Sequence, residues 1–241
     1  MFSHIFTQPP TAIMEHKHEF DNFAGDYEEF LAQSVASYGG DLSYYARHKA
    51  IVVSQNTNLH PRSILDFGCG IGRNIPFLQQ YFPEADVSGY DISSSSVAMA
   101  SAKCPSARFF SEENISELDM PIDIVLAACV FHHVEPEART SVMREAASFL
   151  SEIGEIFIVE HNPLNPLTRK AVKNCPLDQD AELLSLGELK KIVRAAGLRV
   201  TQSGYTLFFP AALKTLQPIE KVLTRIPFGT QYFIKARRPD R

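Results

Sequence analysis

The period of the apolar residues changes along this chain, and each change marks an element. Residues 19–37 and 42–56 carry helical spacing, with Gly39-Gly40 as a break between them. Short apolar runs of strand character then appear at 63–67, 86–91, 107–110, 122–128 and 155–160. Helical spacing alternates with them at 74–81, 94–102 and 137–150. Ser185-Leu186-Gly187-Glu188 opens a further helix to Ala196, stopped by Gly197. Residues 198–208 and 231–236 read as a closing antiparallel pair. The βα alternation predicts an α/β fold, a parallel sheet with helices on both faces.

Composition narrows the class. The 241 residues exceed the usual ~100–200 of a domain, but α/β folds commonly reach this size as one unit. An apolar share of 45% supports a large core. The net charge of −5 argues against nucleic acid as the main partner, which calls for a basic face. Lys235-Ala236-Arg237-Arg238 is short and reads as a solvated terminus. Cys69, Cys104, Cys129 and Cys175 stand apart with no C-x-x-C pair, the pattern of reduced cysteines and neither a disulfide framework nor a zinc site. No metal is expected. No segment approaches the ~18–20 apolar residues of a membrane span, and the expected address is the cytoplasm.

The sharpest chemical signal is Ile64-Leu65-Asp66-Phe67-Gly68-Cys69-Gly70-Ile71-Gly72, followed by Asp91 at the end of the next strand. A strand running into a glycine turn and a helix, then a second strand ending in a carboxylate, can hold a nucleoside at the carboxyl edge of a parallel sheet. A dinucleotide site needs G-x-G-x-x-G, but here the sixth position is Arg73. The turn therefore suits a ligand without a pyrophosphate.

Three more blocks follow in order: Val87-Ser88-Gly89-Tyr90-Asp91-Ile92-Ser93, then residues 122–134 ending Cys129-Val130-Phe131-His132-His133-Val134, then Gly154-Glu155-Ile156-Phe157-Ile158-Val159-Glu160. Together with the glycine turn, this set resembles the class I S-adenosylmethionine-dependent methyltransferases over roughly residues 60–160. The resemblance implies a seven-stranded Rossmann-like sheet of order 3-2-1-4-5-7-6, with its last strand antiparallel, and S-adenosyl-L-methionine as cofactor. It also implies roles. Gly68 and Gly70 would let the backbone approach the cofactor, and Asp66 would accept from its amino group. Asp91 would take both ribose hydroxyls, Ile92 would cover the adenine, and Glu113 with neighbouring Asn114 would meet the adenine amino group. Cys129 joins the cofactor contacts, Arg47 would meet the methionine carboxylate, and Tyr27 with His133 would line the acceptor side. Plainer readings stand beside these: Gly72 for helix–strand packing, Asp91 as a helix cap, and Arg47 as surface charge.

Methyl transfer from a sulfonium is an in-line displacement that alignment and desolvation can drive, while a hydroxyl acceptor also gains from a base. His132 and His161, at the ends of the fourth and fifth strands, are the base candidates; the other reading of His132 and His133 is structural packing. Amino-group methylation of bases carries Asn-Pro-Pro-Tyr after the fourth strand, where this chain has Ala128-Cys129-Val130. Cytosine chemistry needs Pro-Cys, and here Cys104-Pro105 and Cys175-Pro176 run in the opposite order. The leading expectation is methylation of a small molecule, most readily on the oxygen of a metabolite or of a saccharide or lipid precursor. A protein or peptide acceptor is the runner-up, and a non-catalytic cofactor-binding protein is the alternative of another class. In domain terms, residues 1–56 are expected as a helical cap and 57–241 as the core. Insertions near 161–184 and 209–230 would complete the cap or merely pad the sheet edge.

Overall fold

The computed structural model describes residue 30 and residues 42–239. Tyr27 and, apart from residue 30, the helix expected over 19–37 lie outside the described residues. Seven strands form one sheet: β1 (Ser63–Phe67), β2 (Asp86–Tyr90), β3 (Arg108–Phe110), β4 (Ile122–Ala128), β5 (Leu150–His161), β6 (Arg199–Thr206) and β7 (Gln231–Arg237). Their order is β3-β2-β1-β4-β5-β7-β6. The first five run parallel, and β7 enters antiparallel between β5 and β6.

Period-two alternation splits the apolar side chains between two cores. Ile64, Ile124, Leu126, Phe157 and Phe233 face α1 (Leu42–Asn56), α2 (Ile75–Tyr81) and α3 (Ser94–Lys103). Leu65, Val125, Ile156, Ile158 and Ile234 face α4 (Arg139–Ser148) and α6 (Leu186–Ala195). Helix α1 is built into the first core through Ala50, Val52 and Val53, while its first half reaches over the sheet edge. Strand β5 begins at Leu150, before the expected residue 155, because Leu150 pairs with Ile122 across a register shift. Helix α4 correspondingly ends at Ser148.

The two insertions are ordered. The first contains α5 (Pro166–Lys173) and a 3₁₀ turn at Pro176–Asp178; the second contains a 3₁₀ stretch at Ala211–Ile219 and α7 (Glu220–Leu223). The Asn165 side chain caps α5 by accepting from Leu167 N and Thr168 N, with Pro166 at the first helical position. Its amide also donates to Phe228 O at 2.6 Å, and Asn162 donates to Gly229 O at 2.7 Å. The second insertion is tied to α1 as well: Tyr44 Oη donates to Phe209 O at 2.9 Å, and His48 Nε2 lies 3.8 Å from Glu220, which accepts from Leu207 N and Phe208 N. The expected cap segments are therefore fastened to one another.

Asn165→Ala removes a cap and strands a carbonyl, so it should cost ~2 kcal/mol in chemical denaturation. Asn165→Asp keeps the cap oxygen and should lose about half as much. Equal losses for the two variants would place the stabilisation elsewhere.

Candidate active site

At the carboxyl ends of β1, β4 and β5 lies a cavity of about 560 Å³. The first half of α1 (Leu42, Tyr45, Lys49), helix α5 (Leu167, Val172) and Phe208-Phe209 enclose it. The glycine turn forms its floor. Gly68 N and Cys69 N donate to Tyr90 O, and Gly70 N donates to Asp91 Oδ2 at 2.7 Å. Asp91 Oδ1 accepts from Ser93 N, and the cap of α3 is Ser93 itself, not Asp91. Gly68 has φ +73°, and a Cβ there would sit 2.6 Å from Val130 Cγ2. Gly72, at φ +79°, packs against Ala100 and Phe109, in keeping with the plainer reading of that glycine.

Asp66 ends up fully buried behind the turn, with Asn74 donating to both of its oxygens at 3.1 and 3.3 Å. Burial raises its pKa to about 7, although the Asn74 bond and the Lys49 charge pull the other way.

The structure brings Gly68, Cys129, His132, His133 and His161 to the cavity wall. Asp66, Gly70 and Asp91 flank the turn beneath it. Arg47 is turned away: it is exposed, with its guanidinium 5.3 Å over the Phe77 ring, so its surface-charge reading describes its position better. From the same helix it is Lys49, two residues further along, that lines the wall, where Arg73 also stands. Ile92 packs against the second core, and Asn114 closes its own turn by accepting from Ser111 N at 2.7 Å. Glu113 is exposed, and none of these last three reaches the wall.

The polar part of the wall is organised by Glu160, 1% exposed at the end of β5. One of its oxygens accepts from Val130 N and Phe131 N at 2.9 and 2.7 Å; the other meets His132 Nδ1 at 2.6 Å. Burial opposes charge on both partners. Even so, their attraction holds Glu160 below the usual carboxylate range and lifts His132 to about 10. The pairing therefore favours the protonated form of the His132 ring in the free protein. Burial and the neighbouring His132 charge push His133 down to about 3.

Cys129 leaves β4 with φ +60°, a left-handed conformation uncommon for a side-chain-bearing residue. Burial would raise its thiol, but the Lys49 charge and the His161 charge and hydrogen bond bring it down to about 7. His161 is raised in turn: burial lowers it, and Cys129 more than compensates. Gln231 Nε2 points at the sulfur from 3.6 Å, and Gln231 Oε1, buried at the same wall, has no hydrogen-bond partner among the described residues. The arrangement is a Cys–His pair sharing a proton beside a cation. Sequence reasoning missed Glu160, Lys49, Asp178 and Gln231 as site residues. Glu160 had a signal, a carboxylate closing an apolar strand at the ligand edge.

A family model described as a methyltransferase domain matches residues 38–203. The chain is 25% identical over 159 residues to ribosomal RNA small subunit methyltransferase C of Pseudomonas entomophila, covering 61% of this chain and 48% of that protein. It is 36% identical over 76 residues to trans-aconitate 2-methyltransferase of Rhodopseudomonas palustris, covering 31% and 29% of the two chains. This chain thus spans about half or less of the length of these relatives. Among solved structures, magnesium protoporphyrin IX methyltransferase of Synechocystis PCC 6803, with bound S-adenosylmethionine, shares the fold at a TM-score of 0.59 and 17% identity. That match covers 97% of this chain and 100% of the other.

The site predicts a cysteine reactivity order. Cys69 is buried with its thiol raised well above normal, and Cys104 is raised too, while half-buried Cys129 is lowered. Iodoacetamide at pH 7.5 should modify Cys129 first, as read by peptide mass spectrometry, and His161→Ala should slow that reaction. Faster labelling of Cys69 or Cys104 would contradict the pairing.

Proposed function

We propose, given that the chain belongs to the methyltransferase-domain family and uses S-adenosyl-L-methionine as its methyl donor, that it methylates a small molecule on oxygen inside this cavity. The observation that carries the reading is the cavity itself. Its size of about 560 Å³ falls in the range of small-ligand sites, and Leu42, Leu167, Val172, Phe208 and Phe209 give it an apolar enclosure. Residues 1–56 and the two insertions would be the substrate-selecting cap. A ribosomal RNA acceptor, for which one relative is named, fits less well. The net charge is −5, and β4 leads into Ala128-Cys129-Val130, not Asn-Pro-Pro-Tyr.

The residues present fit the donor's chemistry. Asp66, the carboxylate buried behind the turn, would pair with the donor's cationic amino group, and Asp91 presents two carboxylate oxygens beside the Gly68–Gly70 turn. Lys49 suits the methionine carboxylate better than Arg47 does, since only Lys49 is on the wall. When bound, S-adenosylmethionine supplies an electrophilic methyl group. The protein's part is to exclude water, align the acceptor oxygen and receive its proton. In this reading the Cys129–His161 pair takes that proton. His132, fixed by Glu160, holds the pair's surroundings in place.

Two outcomes test the assignment. Binding a cationic amino group favours ionised Asp66, whose pKa in the free protein is about 7. Affinity for S-adenosylhomocysteine should therefore rise about tenfold from pH 6 to pH 8 by calorimetry, and Asp66→Asn should bind weakly with a flat profile. A pH-independent wild type would remove Asp66 from the contact. Against an acceptor found by screening hydroxylated metabolites, His161→Ala should lower turnover by ~10²–10⁴ with cofactor affinity near wild type. Undiminished turnover would show that the pair is not the base.

A further inference from the structure

His132, His133 and Asp178 present one ligand atom each within 4.8 Å of one another at the cavity wall. Asp178 comes from the 3₁₀ turn of the first insertion, and its Oδ1 lies 3.5 Å from His132 Nε2 and 3.4 Å from His133 Nε2. A tetrahedral ion with bonds of ~2.0–2.1 Å sets its ligands ~3.3–3.4 Å apart, so Asp178 Oδ1 already stands close to ligating separation from both imidazoles. His132 Nε2 is buried and has no hydrogen-bond partner among the described residues, while its other nitrogen is held by Glu160 at 2.6 Å. A carboxylate on the far side of the ring is what orients and polarises a metal-binding imidazole.

From this geometry we infer a divalent metal site of the zinc class formed by His132, His133 and Asp178, with Glu160 as the orienting partner of His132. Two imidazoles and one carboxylate are a donor set for zinc, iron or nickel, and are too nitrogen-rich for magnesium or calcium. Three protein ligands leave a fourth position, and all three residues line the cavity, so that position would take an oxygen of the acceptor. The sequence alone suggested no metal because the third ligand arrives from a distant turn, not from a spaced motif. Since Asp178 belongs to the insertion, the ion would also tie that segment to the β4 edge.

The test uses the full chain, stripped with chelator and titrated with zinc chloride against a competing indicator. Cobalt substitution then reports coordination through visible absorption. One ion per chain tighter than ~1 μM is expected, with the absorption of four-coordinate cobalt. His133→Ala, at a half-buried position, and the near-isosteric Asp178→Asn should each weaken zinc by more than the ~10–100-fold that outer partners carry, and Glu160→Gln by about that amount. Cys129→Ser should leave the affinity unchanged, which separates this site from the nearby thiolate. Absence of stoichiometric binding by the wild type would overturn the site, as would binding unaltered in both His133→Ala and Asp178→Asn, or binding lost with Cys129→Ser alone.

Discussion

Glu160 is the group on which the ligand edge of this molecule depends. A buried carboxylate is tolerated only when paired and hydrogen-bonded, and Glu160 is both. By accepting two backbone N–H groups just beyond β4, it fixes the turn that holds Cys129 at positive φ and aims Val130 at Gly68. By holding His132, it sets the ring against which His133, His161 and Asp178 gather. Each hydrogen bond to a charged group contributes ~1.5–3 kcal/mol, and losing the carboxylate would also leave buried donors unmatched.

The rest of the architecture serves to enclose what that edge presents. Parallel strands put β1, β4 and β5 ends side by side, so Gly68, Cys129 and His161 share one cavity wall although they are far apart in sequence. The two insertions, bonded to each other through Asn162 and Asn165, and the first half of α1 all contribute to the wall. Glu182 N donates to His132 O, and Arg139 reaches both Val134 O and Glu182 O, so the first insertion is anchored at the same turn that Glu160 organises. The enclosure is what allows charges such as Lys49 and the Cys129–His161 pair to act on one another with little screening.

Much of this fold was legible in the sequence. Apolar period alone placed α1 and the central strands, because those segments bury one face or both and have no other way to satisfy their composition. The glycine turn and Asp91 pointed to the ligand edge, since few other uses require that spacing. Helix α5 went unread although Asn165-Pro166 is a start signal, because the neighbouring prolines resembled a loop. Arg47 and Lys49 lie on one helix two residues apart, and only packing decides which of them turns inward. The histidines were visible, but their protonation was not. It is set by Glu160, Asp178 and Cys129, which the fold brings together from other elements.

A crystal structure of the full chain with S-adenosylhomocysteine tests the central claim most directly. The ribose is expected on Asp91 beside the glycine turn, the amino group paired with Asp66, and the sulfur facing the Cys129–His161 pair. A ligand bound outside this cavity, or bound with its sulfur away from Cys129 and His161, would contradict it.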